Sequence, residues 1–200
     1  DLHGWPDHSL HLSSVLDRHL SARGHYTDAE TLHNYALATA RATTNRAGEL
    51  NALTCLGHVR RLQGRHEQAT DDLTEAMKIA RATGDRPGEL DVLLGLGHAR
   101  LLQGRYETAI GCYEQALDIA RAIGNRGGEL GARRGLAAID GLQGRPDRAI
   151  SNLTQALDIA RAIGNSSGEI DALTALGWFH RYQGRHVQAA NSYASALDIS

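Results

Sequence analysis

Eleven histidines and two cysteines in 200 residues raise the question of a bound metal. No two histidines stand in an H-x-x-x-H or H-E-x-x-H arrangement, and Cys55 and Cys112 provide neither metal-ligand spacing nor a disulfide framework. His8 and His11 share one face of a helix by their spacing, and His58 and His98 stand where neighbouring segments can bring them face to face. Two imidazoles fall short of the four ligands of a structural zinc site, so the cysteines read as small buried hydrophobes and the histidines as surface groups. Lys78 is the only lysine and follows no glycine-rich phosphate loop. No G-x-S-x-G elbow occurs, and no acid, base and nucleophile converge by spacing. The expectation is a chain with no catalytic residue, no metal and no cofactor.

Recognition chemistry is better represented. Residues 51, 54, 58 and 61 fall on one helical face by their spacing of three, four and three, and the same stripe returns every 40 residues with different side chains. It reads Asn51, Thr54, His58 and Arg61; then Asp91, Leu94, His98 and Leu101; then Gly131, Arg134, Ala138 and Gly141; then Asp171, Thr174, Trp178 and Arg181. Trp178 beside Arg181 is the anchor candidate, because Trp and Arg are enriched among the residues that dominate binding energy. The third stripe lies in an odd segment, where Arg133 replaces the Leu53, Leu93 and Leu173 of its equivalents and Asp140 replaces Arg60 and Arg100. Arg133 either pairs with Glu129 one turn back or joins Arg134 in contacting a partner's carboxylate or phosphate.

The element that positions these stripes is a repeat of 40 residues. Gly24, Gly64, Gly104, Gly144 and Gly184 keep that interval, as do Ala29, Ala69, Ala109, Ala149 and Ala189. A fixed period marks an array in which each unit buries its apolar face against its neighbours. Leu50, Leu53, Leu56 and Val59 follow helical spacing, and so do Ala69, Leu73, Ala76 and Ile79. Gln63-Gly64-Arg65 between them lets the chain reverse, so each repeat is an antiparallel helix pair. The spacing predicts helices over 9–22, 27–42, 48–62, 66–82, 88–102, 106–122, 128–142, 146–162, 168–182 and 186–200. The repeats run 7–46, 47–86, 87–126, 127–166 and 167–200, a single array over 1–200. Gly57, Gly97, Ala137 and Gly177 fall in mid-helix, where glycine costs about 1 kcal/mol against alanine and close helix contact is the expected return. Glu49, Glu89, Glu129 and Glu169 suit helix N-termini, and Arg41, Arg81, Arg121 and Arg161 suit ion pairs or helix C-termini.

A formal charge of −2 gives no broad attraction for nucleic acid or an anionic membrane. No apolar run approaches the roughly 20 residues that span a bilayer, and no basic-then-apolar leader opens the chain, so a cytoplasmic location is expected. The chain starts at Asp1 and stops at Ser200 inside a helical pattern, which reads as a piece of something longer.

The pattern Leu53-x-x-Leu56-Gly57-x-x-Arg60, followed by Ala69-x-x-x-Leu73 and Ala76, resembles a tetratricopeptide repeat. The first Trp of the repeat signature is Leu or Arg here, its Tyr is mostly Arg, and a longer second helix replaces its terminal Pro, stretching the period from 34 to 40. This 40-residue form, with its GDR-x-GE connector and ALxIAR helix end, is similar to the C-terminal arrays of actinobacterial signal-transduction NTPase regulators, including antibiotic-pathway activators. It is also similar to the arrays of eukaryotic spindle-orientation adaptors. One lysine among 21 basic residues fits a high-GC genome such as an actinomycete's. The resemblance implies an all-α, right-handed α-solenoid of stacked antiparallel helix pairs whose first helices line a concave groove, so the four stripes would face a protein or peptide ligand. It further implies a non-enzymatic sensor or docking segment of a larger bacterial regulator, with an NTPase domain and a DNA-binding domain upstream. The alternatives are a stand-alone adaptor or peptide receptor and, against the acidic balance, a helical-repeat nucleic-acid binder. The last helix, with Ala189, Tyr193, Ala196 and Ile199 on its apolar face, has no cap, so a homodimer through the array ends is expected.

Overall fold

A computed structural model describes Leu20 and residues 23–199. Among these residues the chain forms nine helices and no strand: α1 (Tyr26–Ala42), α2 (Arg46–Leu62), α3 (His66–Thr83), α4 (Arg86–Leu102), α5 (Tyr106–Ala122), α6 (Arg126–Leu142), α7 (Pro146–Ala162), α8 (Ser166–Tyr182) and α9 (His186–Leu197). The expected helix over 9–22, with His8 and His11, lies outside the described residues apart from Leu20. The first helix of each later pair begins two residues before its expected start. Asn45, Asp85, Asn125 and Asn165 cap these helices, each accepting the backbone N–H three residues ahead at 2.9 Å, which satisfies a donor that a helix start leaves open. In the turn between the two helices of the pair, Gly64 takes a φ of +76°, a conformation that glycine adopts without a Cβ clash.

The helices pack as two compact units, one ending at Arg105 and one starting at Tyr106. In the first, α2 packs on α1, α3 and α4, and α3 packs on α4, burying Leu50, Leu53, Leu56, Val59, Leu73, Leu90 and Leu93. In the second, each of α5 to α8 packs on the next, and Leu153, Leu157, Leu173, Leu176 and Phe179 form the heart of the core. All of this is one architecture, an all-α array of helix pairs.

Small residues set how closely the pairs approach. A Cβ on Gly57 would lie 2.5 Å from Leu73 Cγ, and one on Gly177 would lie 2.7 Å from Tyr193 Cε1. The mid-helix glycines therefore mark close contacts in these two pairs, and Gly97 and Ala137 are likewise buried. The recurring charges are structural too. Arg41 pairs with Glu49 at 3.0 Å, Arg81 with Glu89 at 3.0 Å, Arg121 with Glu129 at 3.3 Å and Arg161 with Glu169 at 2.7 Å. Each pair ties the end of one repeat to the first turn of the next. Glu49 and Glu129 would be raised by their burial, but the guanidiniums bonded to them hold both below the usual carboxylate range.

Copy four keeps the seam with a different pair of polar groups. In copy two Arg60 donates to both Asp72 oxygens at 2.7 Å. In copy four Asp140 occupies the arginine's place and accepts from Asn152 at 3.2 Å, with Arg145 at 2.9 Å. The substitution at 140 is thus answered 12 residues later, where Asp72 becomes Asn152.

Candidate functional site

The stripe residues lie on the first helices because the opposite faces of those helices carry the leucines of the core. In the first unit this brings six of them into one place. Thr54, His58 and Arg61 from α2 and Asp91, Leu94 and His98 from α4 line a cavity of about 210 Å³, floored by Leu73 of α3 beneath Gly57 and Gly95. His58 and His98, expected to be able to face each other, share it. Arg61 Nη2 stands 3.2 Å from His58 Nδ1. The Asp91 carboxyl is pushed above its ordinary range by burial and then by the nearby charge of Asp85. Asn51 is exposed on the same helix, and Leu101 is half-buried; neither lines the cavity.

The second unit has a cavity of about 190 Å³ at the equivalent position, 80 residues on, lined by Arg134, Ala137, Ala138, Leu153, Asp171, Ala175 and Phe179. Its rim is closed by an ion pair, Arg134 Nη2 to Asp171 Oδ2 at 2.7 Å. Arg133 and Arg134 do not form one open anion site. Arg133 is 6% exposed and donates to Glu129 Oε1 at 3.3 Å inside the seam, while Arg134 is committed to Asp171 on the surface. Adjacent side chains on a helix diverge by about 100°, which sends the two guanidiniums to different carboxylates.

Trp178 is 45% exposed and does not line this cavity. Its ring meets Phe179 edge-on at 4.7 Å and stacks on Tyr182 at 5.6 Å with an interplanar angle of 9°. Thr174 and Arg181 are exposed on the same helix. Spacing alone missed two features. The cavity floors, Leu73 with Gly95 and Leu153 with Ala175 and Phe179, come from positions that read as core. An apolar side chain also stays exposed at the end of each first helix, as Leu62, Leu102, Leu142 and Tyr182, and its 40-residue recurrence was the signal for it. Among the described residues no group of three or more His, Cys, Asp or Glu is placed to hold a metal, and no helix is long and apolar enough to cross a membrane.

Similarity to known proteins agrees with this geometry. The tetratricopeptide repeat model matches residues 48–122 and 129–200. No curated protein matches in sequence. Solved structures share the fold at low identity. BtubC (BKLC) from P. vanneervenii is 20% identical, with a TM-score of 0.80, over 94% of this chain and 78% of its own. A putative kinesin light chain of Podosopora anserina with nearly identical repeats is 19% identical, with a TM-score of 0.72, over 96% of both chains. A Rap protein complexed with competence and sporulation factor is 11% identical, with a TM-score of 0.86, over 96% of this chain and 54% of its own. With helix pairs at a 40-residue period, small residues at the close contacts and the family model matched over most of its length, the chain belongs to the tetratricopeptide repeat family.

Proposed function

We propose that this chain is a non-enzymatic module that binds a protein or peptide along the stripe face of its first helices, as the docking or sensor segment of a larger bacterial regulator in the cytoplasm. The observation that supports it most is the cavity of the first unit. Six side chains converge there from stripe positions whose composition changes along the array, with His the one type shared by copies two and three at 58 and 98, whereas most core positions behind them stay apolar or small. Scaffold positions that repeat and surface positions that vary are what a recognition surface on a rigid frame requires. The Rap protein, solved with competence and sporulation factor, offers a precedent on the same fold. Trp178 and Arg181 serve as anchors at the far end, and α9 offers its outer face to a second copy of the chain.

Peptides selected from a random dodecapeptide library against the 200-residue chain test this reading. Binding should fall with Trp178→Ala plus Arg181→Ala, each hot-spot truncation costing about 2 kcal/mol or more, while helicity is unchanged. Binding that survives those changes and is lost instead with Glu114→Arg plus Asp118→Arg on α5 would place the site elsewhere.

A further inference from the structure

We propose that the cavity between α2 and α4 is a pocket for one acidic side chain: it holds the carboxylate of an Asp or Glu on the docked segment with His58, Arg61 and His98, and takes up protons as it does so. This rests on the groove reading above and specifies which ligand residue the first unit reads. The cavity, about 210 Å³, is smaller than the roughly 300–1,000 Å³ of small-molecule sites, so its size suits one side chain. Its floor is apolar, with Leu73 reached through the gap that Gly57 and Gly95 leave. Its walls set Leu94 beside Thr54, His58, Arg61, Asp91 and His98.

The charges decide what enters. From α2 the cavity is faced by His58 and Arg61, from α4 by His98 and Asp91, and from α3 only by Leu73. Groups that are or can become cationic outnumber the carboxylate three to one. Imidazoles gain their charge as the pH falls from 8 to 5. The Arg61 guanidinium stands beside His58 Nδ1, so positive groups are crowded here. A ligand carboxylate set among them favours the charged imidazoles, so binding and protonation favour each other. Asp91 opposes an incoming anion, and burial and Asp85 raise its carboxyl from the ordinary range, which weakens that opposition as the pH falls. The equivalent cavity of the second unit lacks the device. Ala138, Gly141 and Trp178 stand in place of His58, Arg61 and His98.

The library selection, run near pH 6 and followed by binding measurements on resynthesised peptides, tests the pocket. Selected peptides should share an Asp or Glu at one position, and changing it to Gln or Asn should weaken binding about ten-fold, the scale of a charge-assisted hydrogen bond. Affinity should fall about as much between pH 6 and pH 8. His58→Gln plus His98→Gln should flatten that pH dependence with the fold intact by circular dichroism, and Arg134→Ala should leave it in place. Peptides that lose binding with Trp178→Ala yet show no acidic preference, or bind equally at both pH values, would overturn the pocket and leave the groove standing. If no selected peptide depends on the stripe residues, the groove reading falls and the pocket with it.

Discussion

At the residue scale, one guanidinium departs from its copies. Arg133 fills a leucine's place, 6% exposed, and shares Glu129 with Arg121 and Arg126. The other copies hold the equivalent glutamate without it: Glu89 keeps Arg81 and Arg86. Replacing a buried charge by a well-packed apolar group is often neutral or stabilising, so Arg133→Leu should raise the unfolding free energy by about 1 kcal/mol, read as a higher urea midpoint. A loss of stability would mean that Glu129 needs the third donor. Glu30 gives a second test. Arg65 bonded to it, helped by Arg60 and Gln63, holds its pKa down to about 2. A carboxylate depressed in the folded state stabilises above its unfolded value and loses that contribution as the pH falls through the folded one. Wild type should therefore lose about 1–2 kcal/mol more than Glu30→Gln between pH 4.5 and pH 2, after solvent screening. Equal acid limbs in the two unfolding series would remove this role. Asp72 acts with the opposite sign, since its burial outweighs Arg60 and raises it. Its share grows as the pH falls. The pairing of Arg133 with Glu129 was legible because one helical turn dictates it, and Arg121 was expected in an ion pair or at a helix C-terminus; Glu30 with Arg60 and Arg65, and Asp72 with Arg60, cross between helices, and periodicity does not say which charge meets which.

At the scale of the element, the helices were legible because the apolar spacing and the glycine turns repeat, and repetition averages out local ambiguity. The first helix of each later pair started two residues early because the spacing marks where apolar residues begin, whereas the helix begins at its cap, Asn45 for α2. The stripe faces were legible too. Their depth was not, since Gly95 and Leu73 form a cavity floor only once α2, α3 and α4 are packed. Close approach in the first unit makes a further prediction. With a Cβ on Gly57 only 2.5 Å from Leu73 Cγ, Gly57→Ala should destabilise by about 1–3 kcal/mol. An unchanged thermal midpoint would show that Leu73 can turn aside at no cost.

For the whole molecule, α9 is the element whose face differs most from its copies. Leu197 is 74% exposed, whereas Leu157 and Met77 at the equivalent positions are 7% and 8% exposed under the following helix. A second copy seated on Ala190, Tyr193 and Leu197 would restore that burial, so light scattering on the 200-residue chain should give a mass above the monomer that Leu197→Glu lowers. A strictly monomeric wild type at high concentration would end that proposal. Similar sequences 40 residues apart also pose a hazard during folding, because a helix can dock on the wrong copy of its partner. The altered seam disfavours one such error. If α6 settled on α3 in place of α7, Asp140 would face the carboxylate of Asp72 where it now meets the amide of Asn152; if α2 settled on α7, Arg60 would meet Asn152 and keep Glu30 but lose Asp72. A lock cut differently in one copy lets a chain of look-alike segments tell its even-numbered repeats apart while it is still finding its register.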